Sequence, residues 1–233
     1  MFLDSNKRYE VTIRLGVSTE TGDSDGDVLE TRPVNVSMAD LEKALDSFRG
    51  KILQVPPMYS ALKKDGVPLY KLARKGVEIE RAPRKVKVES LDILCFEDDR
   101  VDIDIQCSKG FYVRSLAMDL GNLLGTGGMV ESLRRTAVGK FSIEQSVTIE
   151  QLEALEPGEC RQNLVLPADE ALSHLPKIDL NEASTRYFCQ GQSVRAIQTT
   201  QAGLARLYSN KNQFLGLGEV SKDGKVAPKR LFV

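Results

Sequence analysis

Two adjacent runs of alternating apolar and polar residues constrain the fold more than any other feature of the chain. The runs span 84–96 and 100–107, and the acidic turn Glu97-Asp98-Asp99 separates them. Gly110 follows, and a helical pattern then extends from about 112 to 124. Every other residue of the second run is apolar, which places four side chains on one face of a strand: Val101, Ile103, Ile105 and Cys107. A strand pair that passes directly into a helix predicts an α+β fold.

The other periodic segments predict further elements of the same kinds. Residues 8–17 alternate and predict a strand, whereas 54–66 read as an irregular stretch. Ser37 can cap a helix over 38–48, and Pro68 can open a short helix. Strands and helices are therefore interspersed along this part of the chain.

A change of pattern near Pro176 predicts a domain boundary. Residues 1–176 hold the α+β pattern, and 177–233 open with a helix near 182–189 followed by short strands. Asp223-Gly224 between apolar runs is a strong hairpin signal. A chain of 233 residues is long enough for one large domain and one small β-rich domain.

Charge is distributed unevenly along the chain. The net charge is -1, yet residues 49–90 carry 11 basic and 4 acidic groups, and 177–233 carry 9 and 4. The other two blocks are acidic and contain the loop 19–27 and the turn around 97–104, which we expect to face away from a polyanion. The two basic segments leave a polyanionic partner open despite the near-neutral total.

Composition excludes several kinds of site. His174 is the only histidine, so a zinc site built on several histidines is excluded, and its neighbours suit a surface or packing role. No P-loop or G-x-G-x-x-G motif occurs, and no apolar run reaches membrane-spanning length. The four cysteines have no metal-ligand spacing and are predicted to be reduced thiols of a cytoplasmic protein: Cys95, Cys107, Cys160 and Cys189.

Three segments carry residues suited to binding or chemistry. The loop 19–27 is acidic, but Thr21 and Arg32 stand where a calcium-binding EF-hand loop needs carboxylates, so a solvated acidic turn is favoured. Segment 59–75 interleaves tyrosines with basic residues, which suits a nucleic-acid backbone; a solvated helix face is the alternative. Segment 107–114 predicts a strand, a glycine turn and an arginine at a helix start, where the arginine could hold a carboxylate.

Taken in order, the motifs of the chain closely resemble those of one enzyme family. They are Lys7-Arg8-Tyr9, Thr19-x-Thr21-x-Asp23-x-Asp25-Gly26, Gln54-Val-Pro56-Pro57-Met-Tyr59-Ser60-Ala61-Leu-Lys63, Leu69-Tyr70-x-x-Ala73-Arg74-x-Gly76, Cys107-Ser108-Lys109-Gly110-x-Tyr112-x-Arg114 and Ser132-Leu133-Arg134-Arg135. The chain resembles bacterial tRNA pseudouridine-55 synthases of the TruB type, from about residue 3 to its end. The resemblance implies a mixed or antiparallel sheet domain with helices, followed by a small PUA-like β-barrel domain that binds RNA.

The resemblance also implies roles for individual residues. Tyr9 matches the family's active-site tyrosine, which is expected to stack on the flipped uracil. Arg114 matches the arginine that pairs with the catalytic carboxylate, and Tyr112 and Leu133 match residues around the target base. Phosphate contacts are predicted from charge alone for three lysines: Lys63, Lys64 and Lys109.

One part of the family pattern does not occur among the 233 residues. The catalytic aspartate of the family lies in a loop reading approximately G-H-x-G-x-L-D-P, and neither Asp4, Asp23 nor Asp25 stands in such a motif. We therefore expect an N-terminally truncated synthase in which Arg114 lacks its carboxylate partner and isomerase activity is small or absent. An RNA-binding or tRNA-remodelling module without catalysis is the alternative.

The resemblance finally implies partners and conditions. The substrate would be the T-stem loop of tRNA, whose uridine-55 becomes pseudouridine. No cofactor or metal is required, because the uracil is both the leaving group and the returning nucleophile. A monomer in the cytoplasm, without a membrane partner, is expected.

Overall fold

A computed structural model describes residues 5–155, 162–195 and 202–232. Contacts divide the chain into two units, of which the first ends at Ser146 and the second begins at Val147. The domain boundary that the sequence predicts near Pro176 stays a prediction. Each unit has its own buried apolar cluster.

The first unit combines strands and helices in an alternating order. Its elements are β1 (Lys7–Leu15), β2 (Val17–Thr19), β3 (Val28–Thr31), α1 (Met38–Asp46), β4 (Gly50–Gln54), β5 (Lys63–Lys64), β6 (Val67–Pro68), α2 (Leu69–Ala73), β7 (Arg84–Glu97), β8 (Arg100–Cys107), α3 (Val113–Leu124), β9 (Gly128–Val138) and β10 (Phe141–Ser142), followed by a 3-10 turn at Ile143–Gln145. The predicted strand over 8–17 ends at Leu15, since Gly16 turns the chain with a φ of 83°.

An antiparallel sheet of six strands forms the centre of this unit. Its strand order is β10-β9-β1-β8-β7-β4, so β1 lies between β8 and β9. The predicted hairpin is present, with Glu97 opposite Arg100 across the turn. The four alternating apolar residues of β8 are almost fully buried, which confirms the predicted face: Val101, Ile103, Ile105 and Cys107.

Helices α1 and α3 contribute to the core that covers this buried face. Ser37 caps α1 as predicted, because its Oγ accepts from the Asp40 amide at 3.2 Å and the Asp40 carboxylate accepts from the Ser37 amide at 3.2 Å. Helix α1 ends two residues earlier than the sequence predicts, at Asp46. Leu116 and Leu120 of α3 are fully buried in the same core.

Glycines let α3 lie directly against the start of β9. A Cβ atom on Gly121 would lie 2.1 Å from the carbonyl carbon of Gly127, and one on Gly128 would lie 2.5 Å from the carbonyl oxygen of Ala117. Both distances are below van der Waals contact, so only glycine permits this approach. The contact fixes α3 on the sheet and thereby fixes the residues at the helix start.

The second unit is built around a five-stranded sheet. Its elements are α4 (Ile149–Glu153), a 3-10 turn at Glu170–Leu172, β11 (Lys177–Asp179), α5 (Glu182–Cys189), β12 (Val194–Arg195), β13 (Gly203–Tyr208), β14 (Phe214–Val220) and β15 (Lys225–Leu231). The strand order is β11-β13-β14-β15-β12, with β11 and β13 parallel and the other pairs antiparallel. The predicted helix near 182–189 and the hairpin at Asp223-Gly224 are both confirmed.

Replacing Gly121 by alanine should destabilise the fold, because the added methyl group collides with backbone rather than with a movable side chain. We expect the free energy of unfolding to fall by about 3 kcal/mol, the upper end for overpacking. Urea unfolding followed by circular dichroism measures the change. Asn122→Ala, at the exposed neighbouring position of the same helix, is the control and should stay within about 0.5 kcal/mol. Equal effects would show that the close approach is not needed.

Candidate active site

A tight corner between β8 and α3 presents two of the predicted site residues. Gly110 reverses the chain with a φ of 81°, and Tyr112 stands at the N-cap of α3. The buried side chain of Gln54 holds this corner through hydrogen bonds to both the amide and the carbonyl of Tyr112. The Tyr112 amide donates to Gln54 Oε1 at 2.8 Å, and Gln54 Nε2 donates to the Tyr112 carbonyl at 3.0 Å. The last residue of β4 thus fixes the start of α3.

Arg114, in the first turn of α3, joins two distant segments of the chain to this helix. Its guanidinium donates to the Thr21 carbonyl at 3.2 Å and to the Tyr59 carbonyl at 2.6 Å. It also lies 3.1 Å from Oδ2 of Asp23, and both side chains are about three-quarters buried, at 25% and 24% exposure. Arg114 therefore has a carboxylate neighbour in Asp23, and the expectation that its catalytic carboxylate partner is missing stays a prediction.

Asp23 is positioned by the loop that carries it. The Thr19 hydroxyl donates to the Asp23 carbonyl at 2.7 Å, and the Thr21 hydroxyl bonds to the Asp23 carboxylate. Amides on both sides connect the loop to β9, with Ser24 donating to Val130 and Val130 donating to Gly22, both at 3.0 Å. The expectation that this acidic loop is a solvated turn is wrong for Asp23, whose carboxylate is largely buried against Arg114.

A further hydrogen bond links the same loop to the segment after β4. The Tyr59 hydroxyl donates to Oε1 of Glu20 at 2.7 Å, which raises the pKa of Tyr59. Glu20 and Tyr59 also line a cleft of about 500 Å³ beside α3. Asp119 on α3 faces the same cleft, and burial raises the pKa of its carboxyl group. Thr21 and Tyr59, whose carbonyl groups accept hydrogen bonds from Arg114, both line this cleft.

Tyr9 lies near the beginning of the central strand β1. It is opposite Ile105 on β8 and Arg135 on β9, and its ring is half-buried against the core. Burial raises the pKa of the Tyr9 phenol, and the Arg135 guanidinium opposes that rise. Nearby Cys107 stays a neutral thiol, because burial raises its pKa to about 12. At neutral pH the phenol of Tyr9 is therefore uncharged.

Leu133 lies beside Tyr9, on the same face of the adjacent strand. It is opposite Val11, which is two residues after Tyr9 on β1, and 48% of its surface is exposed. Cys107, which influences the Tyr9 phenol, ends β8 only five residues before Tyr112. The sheet end near Tyr9 and Leu133 is thus the end from which the chain enters α3.

The predicted phosphate contacts are on the surface. Lys63 and Lys64 are exposed and form β5, which pairs with β6 in a small hairpin rather than the irregular stretch expected there. The hairpin turn is Asp65-Gly66, whose φ values of 51° and 81° suit a two-residue turn of type I′. Lys109 is exposed in the corner between β8 and α3.

Among the described residues, no cluster of three or more histidine, cysteine or acidic side chains could hold a metal ion. His174 is exposed, which confirms the prediction of a surface residue. The described thiols are free: Cys95, Cys107 and Cys189. Cys160 lies outside the described residues. None of the described helices has the length and apolar character needed to cross a bilayer.

Three family models match successive parts of the chain. Residues 1–113 match the N-terminal domain of TruB family pseudouridylate synthases, 114–173 match the tRNA pseudouridylate synthase B C-terminal domain, and 176–232 match the C-terminal model of pseudouridine synthase II TruB. The chain belongs to the TruB family of pseudouridine synthases. The motif order read from the sequence is thereby confirmed.

Curated TruB-family relatives are similar over nearly the whole chain. A tRNA pseudouridine synthase B of Stutzerimonas stutzeri is 50% identical over 232 residues, which cover 98% of this chain and 76% of the relative. The enzyme of the same name from Aromatoleum aromaticum is 48% identical over 231 residues, covering 99% of this chain and 74% of the relative.

Solved structures share the fold. A Cbf5-Nop10-Gar1 complex matches with a TM-score of 0.68 at 22% identity, covering 99% of this chain and 68% of that chain. A structure of an H/ACA ribonucleoprotein bound to a substrate RNA containing 2'-deoxyuridine matches with a TM-score of 0.68 at 20% identity, covering 100% and 67%. The predicted α+β class with antiparallel sheets and a C-terminal β domain is confirmed.

Replacing Asp23 by asparagine should loosen the Arg114 support. The amide keeps the size of the carboxylate but removes the charge that faces the guanidinium, so we expect the free energy of unfolding to fall by about 1–2 kcal/mol. Asp25→Asn, at the exposed position two residues later, should change it by less than about 0.5 kcal/mol. Urea unfolding of both variants makes the comparison. A loss confined to Asp25→Asn would contradict the assigned pairing.

Proposed function

We propose that this chain acts on tRNA as a member of its family and that its target is uridine-55 of the T-stem loop. The observation that carries the proposal is the placement of Tyr9 and Leu133 at the sheet end that leads to Tyr112 and Arg114. It is supported by the name that the similar relatives share, tRNA pseudouridine synthase B.

The reaction is an isomerisation. The N1–C1′ bond of the uridine breaks, the uracil turns, and a C5–C1′ bond forms. The hydrogen on C5 is lost as a proton and N1 gains a proton, so substrate and product have the same composition. No oxidant or reductant is needed, because the base leaves and returns as the nucleophile. The protein must extrude the base, hold it while it turns and stabilise the charge on the ribose.

Tyr9 suits the first of these tasks. An aromatic ring stacks on an extruded pyrimidine, and a neutral phenol does so without bringing a charge against the base. The Tyr9 phenol is protonated at neutral pH, and burial raises its pKa further. Leu133, exposed beside it, adds an apolar contact for the same base, and Tyr112 stands at the corner where the base would enter.

Arg114 suits the orientation of a carboxylate. Contacts among the described residues use three of the five N–H groups of the guanidinium. The other two can hold a further carboxylate and favour its ionised form. Because Thr21, Tyr59 and Asp23 restrain the guanidinium, it is pre-organised for that contact.

Binding and turnover should separate in this chain. Its 233 residues contain no G-H-x-G-x-L-D-P loop, and we expect them to bind tRNA with little or no isomerisation. Tritium release from T-loop RNA labelled at C5 of the target uridine measures turnover, with the Stutzerimonas stutzeri relative as the positive control. Turnover near that of the relative would contradict the expectation.

Two finer points belong to the same proposal. We expect the chain to act as a monomer in the cytoplasm, where its tRNA substrate is found. We also propose that residues 177–233 form a separate PUA-like domain that contacts RNA, which agrees with their 9 basic and 4 acidic groups.

The main phosphate footprint should include the hairpin that carries Lys63 and Lys64. Reversing both charges should weaken tRNA binding at least tenfold. It should also make the fall of log K with log salt less steep by about two, because each lost phosphate contact releases fewer counterions. Filter binding at several salt concentrations measures both quantities. Lys222→Glu plus Lys225→Glu, an exposed pair in the second unit, should have the smaller effect. Equal losses would place the footprint elsewhere.

A further inference from the structure

A basic groove lies on the outer surface of the sheet, on the face away from the core. It has a volume of about 550 Å³ and runs along β4 and β7. Its polar and apolar walls come mainly from five side chains: Lys51, Leu53, Lys85, Lys87 and Ser108. No role proposed above for the chain uses any of these residues.

The register of the strands places like charges against each other in this groove. Lys51 is directly opposite Lys87, and Lys85 is opposite Leu53, which is 67% exposed. Directly opposite like charges destabilise a strand pair. Glu89 pairs with Lys87 at 2.6 Å and offsets one of the three charges. The groove therefore keeps a surplus of positive charge at a cost to the fold.

Protection of a sheet edge accounts for only part of this arrangement. Among the described strands β4 lies at the edge of the sheet, and a lysine there would discourage pairing with another chain. Lys87, however, has no free backbone group, because its amide and carbonyl are bonded to Ser108 while β4 lies on its other side. Lys85 precedes the first pair between β7 and β8, at Val88, so edge protection can account for Lys85 but not for Lys87.

The groove is continuous with the corner that carries the candidate site. The Ser108 amide donates to the Lys87 carbonyl at 2.8 Å, and the Lys87 amide donates to Ser108 Oγ at 2.9 Å. Ser108 lies four residues before Tyr112, and Leu53 immediately precedes Gln54, which holds the Tyr112 backbone. A polymer bound at the corner can therefore extend into the groove.

We propose that this groove binds the sugar-phosphate backbone of the RNA segment next to the one held at the candidate site. Lys51, Lys85 and Lys87 neutralise phosphates, and exposed Leu53 packs against a sugar or base. The inference rests on the proposed action on tRNA and extends it by a second contact surface. A polyanion on the groove also relieves the repulsion between Lys51 and Lys87, which solvent alone does only in part.

The substitution Lys51→Glu tests the proposal because it should move stability and affinity in opposite directions. A carboxylate opposite Lys87 replaces a repulsive pair with an attractive one, so the melting temperature should rise. The same change should raise the Kd for tRNA about tenfold and make the plot of log K against log salt less steep by about one. Differential scanning fluorimetry and filter binding on the 233-residue chain measure the two effects.

Lys43→Glu is the matched control, since it makes the same charge change at an exposed position of α1, which packs on the other face of the sheet. Its Kd should change less than twofold. Lys85→Gln provides a second variant without charge reversal and should raise the Kd about threefold and lower the salt slope by about one.

The outcomes distinguish the groove from the proposed function. A higher melting temperature for Lys51→Glu with unchanged tRNA binding in both groove variants would overturn the groove proposal alone. Equal losses for Lys43→Glu and Lys51→Glu would also overturn it, because the effect would then be one of overall charge. If the unaltered chain fails to bind tRNA, both the proposed function and the groove are rejected.

Discussion

The candidate site depends on the guanidinium of Arg114. Two distant segments meet α3 there, since the Thr21 carbonyl and the Asp23 carboxylate of the 19–27 loop and the Tyr59 carbonyl all face one group. Two neutral carbonyl groups and one carboxylate compensate the charge that is largely withdrawn from water, which an isolated buried guanidinium could not tolerate. Removing either segment would therefore leave guanidinium donors without acceptors and disturb the other segment.

This arrangement also explains why loops can form a defined site. Irregular backbone must satisfy its polar groups through specific partners, because no ladder of strand or helix bonds is available. Here the carbonyl groups of the 19–27 loop and of the segment after β4 find those partners on α3. The helix in turn is fixed on the sheet by the glycine contact between Gly121 and Gly127. Rigidity passes from the core outward to the site.

Local patterns predicted most of the fold. The alternation in 100–107, the capping residue Ser37 and the Asp223-Gly224 turn each depend on neighbours within a few positions, and the structure agrees with all three. The Asp65-Gly66 turn carried the same hairpin signal, but the strands on either side have only two residues each and show no alternation. The Asp65-Gly66 pair alone is therefore enough to predict this turn, although residues 54–66 read as an irregular stretch.

The site was less accessible to such reasoning. Motif order brought forward Tyr9, Tyr112, Arg114 and Leu133, yet nothing near Asp23 in the sequence indicates a partner 91 residues away. The pairing follows from how β9 and α3 approach each other, which is a property of the assembled core. The acidic composition of the loop favoured a solvated turn, and tertiary geometry overrode it.

The amide of Gln54 has a consequence for how the molecule responds to a ligand. It connects the end of an edge strand to the first residue before a helix, through two hydrogen bonds to a single backbone unit. Strand and helix start must then fluctuate together rather than separately. A molecule that orders one of them also orders the other. The conformational entropy of both is then lost when the first molecule binds, and a second molecule loses less. Two weak contacts on opposite sides of that amide would therefore reinforce each other without any change of shape.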